Sequence, residues 1–292
     1  MSHLVDWSSD MKNRLSPTQT ARLSNARRGL MGFLALSAVL TVASYGQAPS
    51  GQADKITRDI EKVKRDSPDI STAEKLFAIK ELARAGATQA IPAVEAEFDR
   101  TQDKTTKAHI ANALVMLGDK NAVYWNFLAA QATLAAETDA PDVVIDSKGT
   151  GTLRQFSPDF LKWAKSHNMT PNDAGLQVTY EFPVYIGLLG ETADPRAIPI
   201  LQRALLSPNF LINAMAAKGL AVAQDKGSIP LIIAACQRAP ANTAGAIAEA
   251  LVYFDDPEAQ SAVDTYMPRE YAKAARDARA NGKKPFGYED PG

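Results

Sequence analysis

Five times between residues 71 and 267 an apolar pattern of helical period runs into a small or polar residue, breaks, and starts again. The breaks lie in ARAGATQAIPAV (Ala83–Val94), VMLGDKNAVYWNF (Val115–Phe127), LGETADPRAIPIL (Leu189–Leu201), AVAQDKGSIPLI (Ala221–Ile232) and LVYFDDPEAQSAV (Leu251–Val263). With the break placed at Gly86, Gly118, Gly190, Gln224 and Asp255, the residue four before it is Leu82, Leu114, Ile186, Leu220 or Leu251. The residue eight before is Ala78, Ile110, Phe182, Ala216 or Ile247, and the one just before is Ala85, Leu117, Leu189, Ala223 or Phe254. All are apolar, and spacings of three, four and seven residues put them on one helix face. Such a face cannot be buried by one short helix, so each unit has to stack on its neighbours.

The breaks are 32, 72, 34 and 31 residues apart. A period of 31–34 holding two short helices is the signature of an α-solenoid. A Gly or polar residue ends the first helix of each unit. Pro92, Pro199 and Pro230, each after an Ile, open the second helix, where a missing N–H costs nothing. Ser71 and Glu74 have the spacing of a capping box at the start of the first full unit. On this placement the turn after Gly190 is three residues longer than its siblings, and the interval of 72 marks an insertion.

These units resemble HEAT repeats, of the short bacterial kind also found in phycobilisome-lyase-like proteins. The resemblance covers residues 71–137 and 176–267. It departs at Tyr124-Trp125 and at Gln260-Ser261, which stand where Ile-Pro is expected. It implies a protein-binding scaffold with no catalysed reaction. The fold expected is therefore all-α, an α-solenoid of about five HEAT-like hairpins with one partly irregular insertion.

Around the repeats the chain divides further. Residues 1–48 read as a secretory signal, or an N-terminal anchor. A polar stretch ending in Arg27-Arg28 precedes Gly29–Gly46, which has no charged side chain, and small residues follow. Cleavage after Gly46 or Ala48 and a periplasmic or secreted protein are expected; an uncleaved segment 29–46 would make a membrane-tethered spacer. Residues 49–70 are a linker and capping helix with Ile56, Ile60 and Val63 as its apolar stripe. Residues 268–292 are a polar helix and a tail, KKPFGYEDPG, expected to be disordered. The chain carries a net −1; five basic and two acidic side chains in residues 1–46 give that segment +3 and leave −4 for the rest. With no basic field, a nucleic-acid partner is not expected.

The insertion, 138–175, is the least generic part. TDAPDVVIDSKGTGTLRQF reads as a short hairpin or extended loop, and Ser157-Pro158 and Thr170-Pro171 both read as helix starts. Pro183 is expected to disturb the following helix. Insertions into repeat arrays commonly lie on the binding face. Phe156, Phe160 and Trp163 are therefore the aromatic candidates for a partner contact, against the plainer alternative that they fasten the insertion to its neighbours. Glu191, Asp194 and Arg196, in the longest turn, are the charged candidates.

Little else points to chemistry. His3, His109 and His167 are scattered, with no pair four apart, and His109 is placed on the surface. Asp139, Asp142 and Asp146 lack the spacing of a calcium loop and read as a solvated acidic loop. Gly149 and Gly151 lack the rest of a phosphate-binding fingerprint. Cys236 falls seven residues after Ile229, an inward position. No catalytic residue, metal ligand or cofactor is expected, and the partner is a protein. The alternatives are a phycobilisome-lyase-like chaperone or lyase, which would draw on Cys236, and the tethered spacer.

Overall fold

The structure is a computed structural model that describes residues 49–65, 67, 69–143 and 156–286. The secretory or anchor segment 1–48, residues 144–155 of the stretch 138–156 expected as a hairpin or extended loop, and the tail beyond Phe286 lie outside the described residues. Contacts divide the chain into Met1–Lys55 with Asp146–Gln155, and Ile56–Ile145 with Phe156–Gly292. Of the first unit only the opening turns of helix α1 (Pro49–Lys64) are described. All the other described residues belong to the second unit.

The described residues are helices and connections, with no strand among them, so the all-α class holds. Among them no helix is long and apolar enough to cross a membrane. After α1 come α2 (Thr72–Arg84), α3 (Ile91–Arg100), α4 (Lys104–Met116) and α5 (Ala122–Ala136). Next are α6 (Pro158–Ser166), α7 (Pro171–Leu176), α8 (Phe182–Glu191), α9 (Ile198–Ala204) and α10 (Phe210–Val222). The last are α11 (Ile229–Arg238), α12 (Ala244–Ala248), α13 (Pro257–Tyr266) and α14 (Arg269–Ala280). Helix α2 packs on α4, α4 on α8, α8 on α10 and α10 on α12; α5 packs on α9 and α11 on α13. The core runs along these interfaces, and Leu82, Leu114, Leu189 and Leu220 are each at most 1% exposed within it.

Local chemistry sets the helix ends. Ser71 and Glu74 form the capping box, with Glu74 N–H donating to Ser71 Oγ at 3.2 Å and Ser71 N–H to Glu74 Oε2 at 2.8 Å. Those bonds hold the Glu74 carboxyl below its usual range. Ser157 and Thr170 cap α6 and α7 as their sequence predicts. Ile91-Pro92, Ile198-Pro199 and Ile229-Pro230 each open a helix directly after a three-residue 3-10 turn: Thr88–Ala90, Pro195–Ala197 and Lys226–Ser228.

The third break is elsewhere than its glycine suggests. Gly190 lies within α8, which runs on to Glu191, and Ala193 takes the left-handed conformation at φ 54°. Gly86, Gly118 and Gln224 do the same at φ 60°, 80° and 53°. All four N–H groups bond the carbonyl three residues back, on Ala83, Val115, Gly190 and Ala221. Counted from Ala193, the turn reaches its Ile after five residues, as it does from Gly86 and Gln224. The LGETADPRAIPIL turn is therefore no longer than its siblings.

Gly190 serves packing instead. A Cβ built on it would stand 2.5 Å from Gly219 Cα, and one on Gly219 would stand 2.7 Å from Gly190 Cα and 2.9 Å from Leu201 Cδ1. The two glycines let the α8 and α10 backbones touch, which no other residue allows.

The departures from Ile-Pro have local causes. Asn121 caps α5 by accepting from Val123 N–H at 3.1 Å, and Tyr124 Oη donates to Glu95 Oε1 at 2.9 Å, joining α5 to α3. Gln260, on α13, directs Nε2 at Phe254 O at 3.0 Å, beside the carbonyls that the 3-10 segment Glu249–Tyr253 leaves unpaired in an α pattern. Pro183 is absorbed by a π turn, Gln177–Glu181, that joins α7 to α8 and in which Phe182 N–H bonds Gln177 O.

The tail departs from expectation. Pro285 is buried and Phe286 half-buried, and Tyr253 Oη donates to Lys284 O at 3.2 Å. Pro285 and Phe286 are thus packed on the body, after Gly282, at φ 84°, turns the chain at the end of α14.

Candidate functional site

Helix α5 positions both groups of residues singled out in the sequence, at opposite ends. At its start Trp125, 9% exposed, lies under Arg196, whose Cζ is 4.1 Å from the ring centroid. Arg196 Nη2 also meets Asp194 Oδ2 at 2.6 Å, and Asp194 Oδ1 accepts the Arg196 backbone N–H at 2.9 Å, capping the 3-10 turn. The pairing lowers the Asp194 carboxyl and raises the Arg196 guanidinium from their ordinary values. The turn thus presents a cation fixed on two sides, by an ion pair and by an aromatic face.

Just past the other end of α5, Asp139 Oδ1 accepts Trp163 Nε1–H at 2.7 Å. Roughly 22 Å of helix separates the two ends at 1.5 Å per residue. Phe156 and Phe160 have ring centroids 5.3 Å apart, and Phe160 and Trp163 6.0 Å. Phe160 is 0% and Trp163 8% exposed. These aromatics therefore form a buried stack, and Phe160 and Trp163 offer no surface to a partner, which corrects the contact expected of them. Phe156 is half-buried and touches Gly175 on α7. Asp142 is half-buried and not part of a solvated loop: its Oδ1 accepts Phe210 N–H at 3.2 Å, and Ser157 Oγ donates to Asp142 O at 3.0 Å, whereas Asp139 stays exposed. Apolar burial drew the aromatics inward, and the one polar atom among them, Trp163 Nε1, took Asp139 as its acceptor.

Glu191, at the end of α8, is drawn into a charged cluster that sequence reasoning missed. Burial pushes its carboxyl up to about 7, against the pull of Lys80 and Arg84 on α2. Burial also lowers Lys80, with Glu191 opposing and Arg84 assisting, and it holds His109 on α4 down at about 3, assisted by Lys80. His109 is thus partly buried, not a surface residue. The cluster is assembled by the packing of α2, α4 and α8, so only the helix period hinted at it. Asn112, buried on α4, donates to Leu188 O at 2.7 Å and satisfies a carbonyl at the end of α8. Perturbed titratable groups from three elements are the usual physical mark of a functional region, although structural ion networks produce it too.

A cavity of about 340 Å³ opens among Asp142, Ser207, Phe210, Asn213, Arg238 and Pro240. Arg238 Nη2 donates to Leu205 O at 2.6 Å, and burial raises the Asp142 carboxyl. Cys236 is buried at 1% exposure, and burial pushes its thiol up to about 12, so it stays protonated at neutral pH. Among the described residues no three His, Cys, Asp or Glu side chains converge to hold a metal.

Fold and site define an all-helical protein in which one turn recurs between paired helices. The chain matches no protein-family model and no curated protein.

Proposed function

We propose that the protein is an exported, non-enzymatic adaptor, a HEAT-like solenoid whose stacked hairpins present a surface to a protein partner. The observation that carries this reading is the recurrence of one turn: a left-handed residue, a three-residue 3-10 turn and an Ile-Pro helix start, at Gly86, Ala193 and Gln224. Units of one geometry stack by repeating one interface, which yields an extended surface and no closed catalytic pocket. The turn carrying Asp194 and Arg196 is the contact region, because its cation is held rigid before any partner arrives and loses little freedom on binding. The protonated state of Cys236 weighs against the lyase alternative.

The test is affinity capture from the native envelope with wild type and an Asp194→Lys/Arg196→Glu double variant. A defined partner retained by wild type and lost by the folded double variant is the expected result. Identical partner lists would remove the turn from the interface. Deletion of 138–170 is a poor substitute, since it removes Phe160 and Trp163 from the core. Export rests on the composition of residues 1–48; N-terminal sequencing of the mature chain should start near Gln47 or Pro49, whereas retention of 29–46 in membranes would favour the tethered spacer.

A further inference from the structure

The cavity beside Asp142 is built where three pieces of chain join: the start of the insertion, the connection from α9 to α10 and the end of α11. Much of its polar chemistry is spent on the backbone. Asn213 Nδ2 donates to Ala204 O at 3.0 Å and to Ser207 O at 3.1 Å, and Arg238 Nη2 to Leu205 O at 2.6 Å. Asp142 Oδ1 accepts Phe210 N–H, and Asn209 Oδ1 accepts Leu211 N–H and Ile212 N–H. The last carbonyls of α9 and the first amides of α10 are thereby satisfied, and the walls of the cavity are fixed.

Three groups are left over. With both Asn213 Nδ2 bonds going to carbonyls, its Oδ1 is an acceptor, and no donor among the described residues reaches it. Asn213 is only 5% exposed, so this cavity, which it lines, is where its oxygen meets solvent. A buried amide oxygen left without a donor is costly, which favours whatever supplies one. Asp142 and Arg238 both line the cavity and yet form no ion pair with each other among the described residues. Burial raises the Asp142 carboxyl and only the Phe210 N–H opposes it, so no cation compensates that acid. Leu206, Phe210 and Ala239 supply apolar wall between the polar groups.

We propose that this cavity binds a small zwitterion with an apolar body, a free amino acid or a short peptide. Its ammonium meets Asp142 and Asn213 Oδ1, and its carboxylate meets Arg238. A ligand with one charge satisfies one wall and leaves the other facing it unpaired; a zwitterion satisfies both. Neither protein charge has to be taken from an existing partner, because the two are not paired with each other. The site is separate from the Asp194–Arg196 turn, and it stands or falls independently of the protein-binding reading.

The test is calorimetric titration of the full chain with leucine and leucyl-leucine, beside N-acetyl-leucine, which lacks the ammonium, and leucinamide, which lacks the carboxylate. At least one zwitterion should bind at one per chain, and each one-ended analogue should bind about tenfold more weakly or worse, the usual effect of losing a charged hydrogen bond. Binding of leucine assigns a free amino acid, and binding of leucyl-leucine alone assigns a peptide. Asp142→Asn keeps an acceptor for Phe210 N–H, so it should weaken the zwitterion about tenfold and leave N-acetyl-leucine unchanged. Arg238→Gln should weaken the zwitterion and leave leucinamide unchanged. The proposal is overturned if neither zwitterion binds at millimolar concentration, if the analogues bind as tightly, or if folded Asp142→Asn binds the zwitterion as wild type does. Should a variant fail to fold, the comparison of zwitterions with one-ended analogues on wild type decides by itself.

Discussion

At the scale of single residues, Gly190, Gly219 and Glu191 carry the most physical consequence. Because a methyl on Gly190 would meet Gly219 Cα at 2.5 Å, backbone against backbone, the helices must move apart to admit it. Gly190→Ala should lower stability by about 1–3 kcal/mol, the ordinary cost of overpacking. Gly187→Ala, with its nearest neighbours at an ordinary 3.6 Å, should instead gain up to about 1 kcal/mol, the helix preference for alanine; chemical denaturation of the two variants side by side gives the contrast. Glu191 leads to a pH effect. Its folded carboxyl stands near 7, above the ordinary 4.5, so the folded state holds the proton longer than the unfolded chain. Its contribution is present below pH 4.5 and is lost as pH rises toward 7. His109 acts in the opposite sense: held near 3 against 6.5, it contributes above 6.5 and the contribution is lost as pH falls. Over pH 4.5–6.5 the two slopes offset each other. Stability of wild type minus that of Glu191→Gln isolates the carboxyl, and should fall by about 1–3 kcal/mol between pH 4.5 and 7. A flat difference would remove Glu191 from the half-buried cluster.

At the scale of elements, the recurrent turn makes a sharper statement than its consensus residue does. Ala193 and Gln224 occupy a left-handed position that Gly86 and Gly118 occupy without strain. Ala193→Gly should raise the melting temperature, with a gain of about 0.5–1 kcal/mol, whereas Gly86→Ala should lose about as much. Gln224→Gly should gain less, because Gln224 Nε2 donates to Ala221 O at 2.7 Å and to Tyr253 O at 3.3 Å. The capping residues, the helix after each Ile-Pro and the inward place of Cys236 were all legible in the sequence. They depend on groups within a few residues of one another. The end of α8 was not legible, because the glycine that resembles a helix stop is needed by a helix 29 residues further on.

At the scale of the molecule, helix packing makes distant segments dependent on one another. Leu201 on α9 reaches Gly219 on α10, and α8 packs closely on α10. A fragment of residues 54–206 would leave Ile186, Leu189 and Leu201 without the α10 side of their packing. It should aggregate or unfold without a cooperative transition, as followed by light scattering and calorimetry. A soluble fragment that melts cooperatively would show that the array does not stack continuously.

The candidate site divides along the same line. Asp194 and Arg196 lie two residues apart, and their pairing needs only a local turn. Trp125 beneath them, the Lys80–Glu191–His109 cluster, the burial of Phe160 and Trp163, and the seat of Phe286 all join segments remote in sequence. By itself the sequence determined the all-helical class, the period, the caps and the apolar faces. These follow from side-chain periodicity and from backbone hydrogen bonds that close within one turn. Only the tertiary structure decided which faces meet and what lies between them, because close packing depends on the exact volume each partner brings to a shared contact.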